Sequence, residues 1–396
     1  MSIKGKAYLM GAFEHPLRDA PDTSTPQLHA ECARGALIDA GLTKDDVDGY
    51  FCAGDAPGFG GMSMVDYMGL KNVRHLDSTE TGGSSYIVHV GHAAQAIAAG
   101  KCSVALITLA GRPRHGGRRP GAGMAAGAGG LSDGPPEAGF ENIYGGSTHN
   151  TYGMCAMRHM YEYGTTSEQL AWIKVAASTH AQWNEHAFLK DVVTVEDVVN
   201  SRMISDPLHL LDCCVVTDGG GALIVTSPEI AKSLKRPKVR VLGAGEAPKT
   251  PLGGQGLDLT YSGAVWSGPR AFEEAGVKPA DIKYASIYDS FTITVLMQLE
   301  DLGFCKKGEG GKFVADGNLI SGVGKLPFNT DGGGLCNNHP TNRGGITKVI
   351  EAVRQLRGEA HPKVQVKNCD LAIAHGTGGS LGTRHASATV IMEREA

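Results

Sequence analysis

The chain has no excess of positive charge, no apolar run of membrane length and no paired-cysteine motif. Its 37 Lys and Arg against 41 Asp and Glu give a net charge of −4, which argues against nucleic acid as the main partner. No stretch is long enough to span a bilayer, and no signal-peptide run opens the sequence, so we expect a cytoplasmic protein. The nine cysteines include no CxxC pair, which predicts reduced thiols, and the histidines show no recurrent ligand spacing that would predict a metal site.

Aromatic residues are also few, at 6% of the chain, whereas glycine is abundant, at 56 of 396 residues. Much of the glycine lies in clusters that look like loops approaching ligands. The cluster richest in chemistry is 331–345, DGGGLCNNHPTNRGG, which runs into a segment whose apolar residues recur at helical spacing. A glycine-rich turn before a helix brings backbone N–H groups and the positive helix end to a ligand. A plain turn with a helix cap is the alternative for this segment taken alone.

An internal repeat divides the chain. Residues 36–51 (ALIDAGLTKDDVDGYF) match residues 271–286 (AFEEAGVKPADIKYAS) at a constant offset of 235 positions (271 − 36). A second match follows, in which the glycine pairs Gly82-Gly83 and Gly344-Gly345 each open a helix that leads to a strand. We therefore predict two related halves of alternating β and α elements, whose equivalent helix starts face each other across a shared site.

The predicted domain boundaries follow from this repeat. Residues 1–111 plus 201–240 are expected to form the N-terminal half, and residues 241–396 the C-terminal half. Residues 112–200 are expected to be an inserted region, with a Gly-, Arg- and Pro-rich loop followed by a largely helical stretch. The arginines of 112–120 could meet phosphates of a ligand, and a solvated loop is the alternative.

Four separated segments carry a family resemblance. They are 206–227 (DPLHLLDCCVVTDGGGALIVTS), 288–291 (YDSF), 329–345 (NTDGGGLCNNHPTNRGG) and 374–379 (AHGTGG). Together with the repeat, they resemble the thiolase superfamily, most closely its sterol-carrier-protein-type, lipid-transfer-like branch. The resemblance implies an α/β fold of two βαβαβαββ halves in a layered αβαβα core with an inserted loop region. It also implies a homodimer, an acyl-CoA substrate with coenzyme A as substrate or product, no bound cofactor, and a small zinc-ribbon/OB-fold partner subunit.

The resemblance further implies a set of site residues. Tyr288, His339 and His375 would converge on the CoA thioester. His339 would polarise the thioester carbonyl and His375 would act as acid and base at the reacting carbon, while Tyr288 could donate a hydrogen bond. A tyrosine that merely ends a core strand is the alternative for Tyr288. The remaining expected oxyanion or substrate-binding residues are Gly82, Gly83, Ser84, Asn338, Gly376, Gly378 and Gly379.

One family feature is missing. Thiolases carry a nucleophilic cysteine at the start of the helix that Gly82-Gly83 opens in this sequence. The expected position of that cysteine falls within Thr81–Ser84. No cysteine lies between Cys52 and Cys102. A helix start lowers the pKa of a thiol, but a hydroxyl such as that of Thr81 gains far less and needs an adjacent base. Cys336 could supply a thiol from the opposite helix start, with a packing residue as the alternative.

Three functions remain open at this point. The first is CoA-dependent thiolysis or acyl transfer on a 3-oxoacyl-CoA, in which the thiol of CoA attacks the β-ketone without an acyl-cysteine. The second is retro-aldol cleavage of a β-hydroxyacyl-CoA, in which Tyr288 or a histidine removes the hydroxyl proton. The third is a non-catalytic CoA-ester or lipid-binding subunit, against which the retained His339 and His375 count. From the sequence we rank thiolysis slightly ahead of the retro-aldol reaction.

Overall fold

The structure, a computed structural model, describes residues 2–115, 147–249, 257–340 and 343–395. Most of the predicted glycine- and arginine-rich loop therefore lies outside the described residues. The strands are β1 (Tyr8–Glu14), β2 (Gly49–Phe51), β3 (His75–Asp77), β4 (Val104–Gly111), β5 (Met203–Ser205), β6 (Leu208–His209), β7 (Gly219–Thr226), β8 (Val239–Lys249), β9 (Tyr284–Ile287), β10 (Leu371–Ser380) and β11 (Thr383–Arg394). The α-helices are α1 (Thr25–Ala40), α2 (Gly61–Met68), α3 (Ser85–Ala98), α4 (Thr148–Tyr163), α5 (Ser167–Ala181), α6 (Val195–Val199), α7 (Pro228–Ser233), α8 (Ala264–Ala275), α9 (Thr292–Asp301), α10 (Gly310–Val314), α11 (Gly333–Cys336) and α12 (Gly345–Arg357).

One large mixed sheet organises the described part of the chain, with the strand order β3-β2-β4-β7-β1-β8-β11-β10-β9. The first five strands of this order precede residue 227 and the last four follow residue 238. The two groups join where β1 pairs antiparallel with β8, with Tyr8 opposite Arg240 and Leu9 opposite Val239. Parallel pairs lie toward both ends of the sheet, β2 with β3 and β4, and β9 with β10. The sheet is thus built from two similar groups of strands.

The helices form three layers around the two groups of strands. α3 and α12 lie together in the middle, where their apolar faces share one core cluster with strands of both groups. α1 covers the outer face of the first group, and α8 covers the outer face of the second. Because helices cover both faces, β4 and β7 are buried along their whole lengths. The predicted layered α/β fold is confirmed.

The sequence repeat is also visible in local geometry. α1 and α8 end at Gly41 and Gly276, whose φ angles of 75° and 70° fall in the left-handed region that favours glycine. A short turn follows each helix, in which Asp46 and Asp281 accept the backbone N–H of the residue three positions earlier, both at 2.8 Å. The same helix end and the same side-chain-capped turn therefore occur in both halves.

The largely helical stretch predicted after the loop contains the helices α4 and α5. α4 ends at Gly164, whose φ of 70° is left-handed, and α5 begins three residues later behind the N-cap Thr166. Both helices pack into the core cluster that contains α8 and α9. None of the helices in the described ranges has the length and apolar character that crossing a bilayer requires.

Candidate active site

Two glycine-rich helix starts meet at the centre of the molecule. One is the turn 81–84 before α3, and the other is Gly344-Gly345 before α12. A β-carbon on Gly345 would lie closer than 3.0 Å to the carbonyl oxygen of Gly83, and a β-carbon on Gly83 would lie equally close to the hydroxyl of Tyr288. Only residues without a side chain permit this approach. The helix starts therefore face each other, as the repeat predicts, and Tyr288 reaches the contact between them.

Tyr288 follows β9 directly, and its hydroxyl meets the imidazole of His339. The Tyr288 Oη to His339 Nε2 distance is 2.9 Å. The backbone N–H of Gly344 donates to the same Oη at 3.3 Å. The two rings meet edge to face with centroids 5.4 Å apart, and both side chains are buried. The structure thus brings together two of the three side chains that the family resemblance implicated.

Burial sets the protonation states of this pair. It lowers the pKa of His339 to about 4, so the imidazole is neutral at neutral pH. Burial also raises the pKa of Tyr288 well above its ordinary value, and the nearby Cys214 thiol and Tyr152 phenol add to this rise. Nδ1 of His339 is buried without a hydrogen-bond partner among the described residues. A neutral imidazole keeps one ring nitrogen as an acceptor, so His339 can take a proton that Tyr288 gives up.

The turn that carries His339 is held by a buried ion pair that the sequence reasoning missed. Asp289 accepts the backbone N–H groups of Gly334 at 2.8 Å and Leu335 at 3.1 Å. Its carboxylate also lies 2.5 Å from Nζ of Lys348, on α12. Removing one partner would leave a buried charge, which is strongly destabilising. The position of Asp289 immediately after Tyr288 in the YDSF segment was the available signal.

The hydroxyls at the α3 start are engaged with their own turn. Ser84 Oγ donates to the carbonyl of Thr81 at 2.8 Å and lies 3.1 Å from Thr81 Oγ1. The backbone N–H of Thr81 donates to Ser85 Oγ at 2.8 Å. Within the described ranges, neither the Thr81 nor the Ser84 hydroxyl has a histidine or carboxylate as a hydrogen-bond partner. Among the residues that the structure describes, no base is placed to activate either hydroxyl as a nucleophile, and a catalytic role for Thr81 stays a prediction.

Glu80 is a further residue of this helix start that the sequence did not single out. Its carboxylate accepts the backbone N–H groups of Gly82 and Gly54, both at 2.6 Å, and pairs with Arg343. A negative charge at a helix start is favourable because the backbone N–H groups carry partial positive charge. The N–H of Gly82, expected to serve an oxyanion, is therefore already occupied by a side chain.

His375 faces away from the helix starts. Its Nδ1 lies 2.8 Å from Thr389 Oγ1, which in turn lies 3.0 Å from Ser267 Oγ on α8, in the outer layer. Burial lowers the pKa of His375 to about 3, and Nε2 has no partner in the described part of the chain. The carbonyl of His375 accepts the backbone N–H of Tyr288 at 2.9 Å, so the two residues are neighbours through their backbones. The acid/base role expected for His375 stays a prediction that this orientation does not support.

Gly376 and Gly378 lie on the opposite face of β10 from His375, because successive residues of a strand point to alternate faces. A β-carbon on Gly378 would overlap the carbonyl oxygen of Thr81, and one on Gly376 would lie 3.3 Å from Cα of Ser84. Gly376 and Gly378 therefore line the α3 start. Gly379 lies beyond them with a left-handed φ of 84°.

Cys336 lies in α11 and is buried. Burial raises its pKa above the ordinary value, which outweighs the opposing effect of the neighbouring Lys174 ammonium. A buried, protonated thiol is inert. The packing interpretation therefore fits Cys336 better than the thiol-donor interpretation.

Among the described residues, one group outside this site has the composition of a metal site, namely Asp19, His115 and Asp218. Asp218 already accepts backbone N–H groups from Ala20 at 3.0 Å and from Arg114 at 2.9 Å. The guanidinium of Arg114 lies 3.7 Å from Asp19, and His115 pairs with the same carboxylate. These contacts account for the group without a metal ion.

Comparison with known proteins agrees with this geometry. Residues 245–394 match the family model described as thiolase C-terminal domain-like. The steroid side-chain-cleaving aldolase of Thermomonospora curvata is 35% identical over 372 residues, which cover 90% of this chain and 91% of that protein. The chain belongs to the thiolase superfamily. Within the superfamily it falls in the sterol-carrier-protein-type branch.

Two further likenesses bear on this thiolase-superfamily member. The benzoylsuccinyl-CoA thiolase subunit BbsB of Thauera aromatica is 38% identical over 63% of this chain, and the match spans 66% of that protein. The chain thus matches just under two thirds of BbsB, but over nine tenths of the aldolase. The solved structure of an Ltp2-ChsH2(DUF35) aldolase superposes with a TM-score of 0.85 and 31% identity, over 99% of this chain and 98% of that one.

Proposed function

We propose that the protein cleaves a carbon–carbon bond of a β-hydroxyacyl-CoA by a retro-aldol reaction. The observation that carries this proposal is the Tyr288–His339 pair, hydrogen-bonded at 2.9 Å beside a helix start that bears no thiol. A retro-aldol reaction needs a base for the hydroxyl proton and donors for the enolate oxygen, but no protein nucleophile.

The pair supplies a route for the proton. Tyr288 Oη takes the proton of the substrate's β-hydroxyl while its own proton passes to Nε2 of His339, in the tautomer that carries its ring proton on Nδ1. The Cα–Cβ bond then breaks, its electron pair forms the enolate of the remaining acyl-CoA, and the β-carbon leaves as a ketone or aldehyde. The enolate takes up a proton at Cα from solvent, and His339 gives back to solvent the proton that it received, so both residues return to their starting states. The N–H of Gly344, 3.3 Å from Oη, stabilises negative charge that develops there.

Thiolysis of a 3-oxoacyl-CoA by CoA is the second candidate. The similarity to BbsB favours it, because the name of that protein includes a thiolase activity. Direct attack by CoA would not require an acyl-cysteine either. We nevertheless reverse the order suggested by the sequence. The engaged hydroxyls of Thr81 and Ser84 and the buried Cys336 count against thiolysis through an acyl-enzyme. Between direct attack by CoA and the retro-aldol reaction, the relative matched along nine tenths of its length favours the latter, because it is named as an aldolase.

The proposed substrate is a CoA ester, as the names of several relatives suggest, and coenzyme A is part of substrate and product. The names that mention a steroid or a benzoyl group favour an acyl part that carries a ring.

We also propose a homodimer. Phe59 and Met62 are 86% and 66% exposed, and Gly61 between them packs against Leu76 of the edge strand β3. Exposed apolar groups near a sheet edge favour association. The structural neighbour is named as a complex of Ltp2 with ChsH2, which supports an additional partner subunit.

The test is to incubate the purified protein with β-hydroxyacyl-CoA and 3-oxoacyl-CoA esters, each with and without CoA. The proposal predicts cleavage of the hydroxyacyl ester without CoA. Cleavage of only the oxoacyl ester, and only with CoA, would establish the thiolase instead. Tight binding of both esters with turnover of neither would leave the non-catalytic binding subunit.

A further inference from the structure

A chain of buried hydrogen bonds leads from Glu14, at the end of β1, to the backbone of His339. Thr217 Oγ1 accepts the backbone N–H of His339 at 2.8 Å and donates to Asn338 Oδ1 at 2.7 Å. Asn338 Nδ2 donates to Glu14 Oε1 at 2.9 Å. All four residues are buried, so water does not compete for these bonds. The turn that presents the imidazole is therefore tied to a carboxylate 325 positions earlier in the chain (339 − 14).

The direction of every bond in this chain is fixed. Thr217 has one hydroxyl proton, and because its oxygen accepts from His339, that proton goes to the amide oxygen of Asn338. Asn338 must then turn its NH₂ group toward Glu14, and an ionised carboxylate can only accept. The charge of Glu14 thus determines which way Asn338 points, and Asn338 determines where the Thr217 hydroxyl points.

Two arginines keep Glu14 ionised in spite of its burial. Arg18 Nη2 lies 2.8 Å from Oε1, and Arg354 Nη1 lies 3.3 Å from Oε2. Burial alone would raise the pKa of Glu14, but Arg18 and Arg354 together with the Asn338 amide hold it below its ordinary value. Asn337 Nδ2 also donates to Oε1, at 3.1 Å. The carboxylate is consequently both charged and fully bonded.

We propose that Glu14 and Thr217 are positioning residues that hold His339 in register with Tyr288. The side chain of Thr217 meets His339 at its backbone N–H, and Glu14 acts through Asn338. The expected loss of kcat rests on the proposed function, whereas the expected change in the position of His339 does not. A displacement of about 1 Å in a catalytic group can cost about 10²-fold in rate. Loss of the Thr217 hydroxyl should therefore lower kcat by about 10- to 100-fold, with KM little changed.

The test compares Thr217→Val with Thr217→Ser and includes Glu14→Gln. The matched control is Thr226→Val, because Thr226 is equally buried on β7 and its hydroxyl has no partner among the described residues. The readouts are kcat and KM on a β-hydroxyacyl-CoA, and the ring ¹⁵N chemical shift of His339, assigned by its disappearance in a His339→Asn variant. The shift of Nε2 reports its hydrogen bond to Tyr288, which a general loss of stability would leave unchanged in the folded fraction.

We expect Thr217→Val and Glu14→Gln each to lower kcat and to move the Nε2 shift. Thr217→Ser and Thr226→Val should behave as wild type. A folded Thr217→Val or Glu14→Gln protein with wild-type kcat and an unmoved Nε2 shift would overturn the inference, so either variant suffices if the other does not fold. If the wild type cleaves neither ester, the proposed function fails, whereas the ¹⁵N comparison still decides whether the residues position His339.

Discussion

Replacing Tyr288 with Phe removes a single oxygen atom from the proposed site. His339 Nε2 and the backbone N–H of Gly344 both lose a buried partner, at 2.9 Å and 3.3 Å. Each buried group left without a partner costs about 1–3 kcal/mol. We therefore expect a loss of about 2–6 kcal/mol in the free energy of unfolding. Loss of a general acid–base group lowers a rate by about 10²- to 10⁴-fold, which corresponds to about 3–5 kcal/mol in activation free energy.

Tyr284→Phe is the matched control for this substitution. Tyr284 is buried on β9, the strand that Tyr288 directly follows, and its hydroxyl accepts the backbone N–H of Thr330 at 3.3 Å. We expect this variant to lose about 1–2 kcal/mol of stability, because it loses one buried hydrogen bond of about 1 kcal/mol. Since that bond lies outside the proposed site, kcat should stay within about twofold of wild type. Urea unfolding measures stability, and release of the shortened acyl-CoA from a β-hydroxyacyl-CoA measures the rate. A folded Tyr288→Phe protein with wild-type kcat would refute the role assigned to the hydroxyl.

Three further substitutions or titrations test other parts of the account. Gly83→Ala should abolish activity and lower the melting temperature, because its β-carbon would overlap the Tyr288 hydroxyl and lie 2.5 Å from the carbonyl of Thr377; full activity would show that the helix start is not packed against the tyrosine. The kcat/KM of the wild type should rise with pH through about 4 and then level off, because His339, with a pKa of about 4, accepts a proton only when neutral; an acid limb near 6.5 that vanishes on substituting His339 would contradict this. Burial and the neighbouring Asp331 raise the pKa of Glu351 to about 7, so the folded state binds the proton of Glu351 more tightly than the unfolded state does. The free energy of unfolding should therefore fall as the pH rises from 5 to 7, by at most about 1.4 kcal/mol per pH unit. Glu351→Gln should flatten that slope.

The fold was predictable because its signals are local and occur twice. The glycines that end α1 and α8 adopt the same left-handed conformation, and the acidic turns after them are capped in the same way. One local interpretation differs. The DGGG pattern of residues 218–221 predicts a tight turn that enters a buried strand. The buried strand is β7, but it already begins at Gly219, and a β-carbon on Gly220 would overlap the carbonyl oxygen of Leu109 on the neighbouring strand. The glycines there serve close strand approach rather than a turn.

The site was only partly predictable. Tyr288 and His339 stand in motifs that sequence can show. Thr217 bonds to His339 from 122 positions away and Glu14 bonds to Asn338 from 324 positions away, with no local pattern to mark either residue. The motif around His375 predicts a place at the reacting carbon, whereas strand alternation directs Gly376 to the helix start and His375 to the outer layer.

The central claim is that the protein breaks a carbon–carbon bond through an enolate, with Tyr288 and His339 moving the proton and no thiol taking part. The most direct measurement is to supply a β-hydroxyacyl-CoA without CoA in D₂O and to analyse the released acyl-CoA by mass spectrometry. The retro-aldol account predicts one solvent deuterium at Cα of the shortened thioester, formed by wild type and not at a comparable rate by Tyr288→Phe. An intact substrate under these conditions, together with CoA-dependent cleavage of a 3-oxoacyl-CoA, would contradict it.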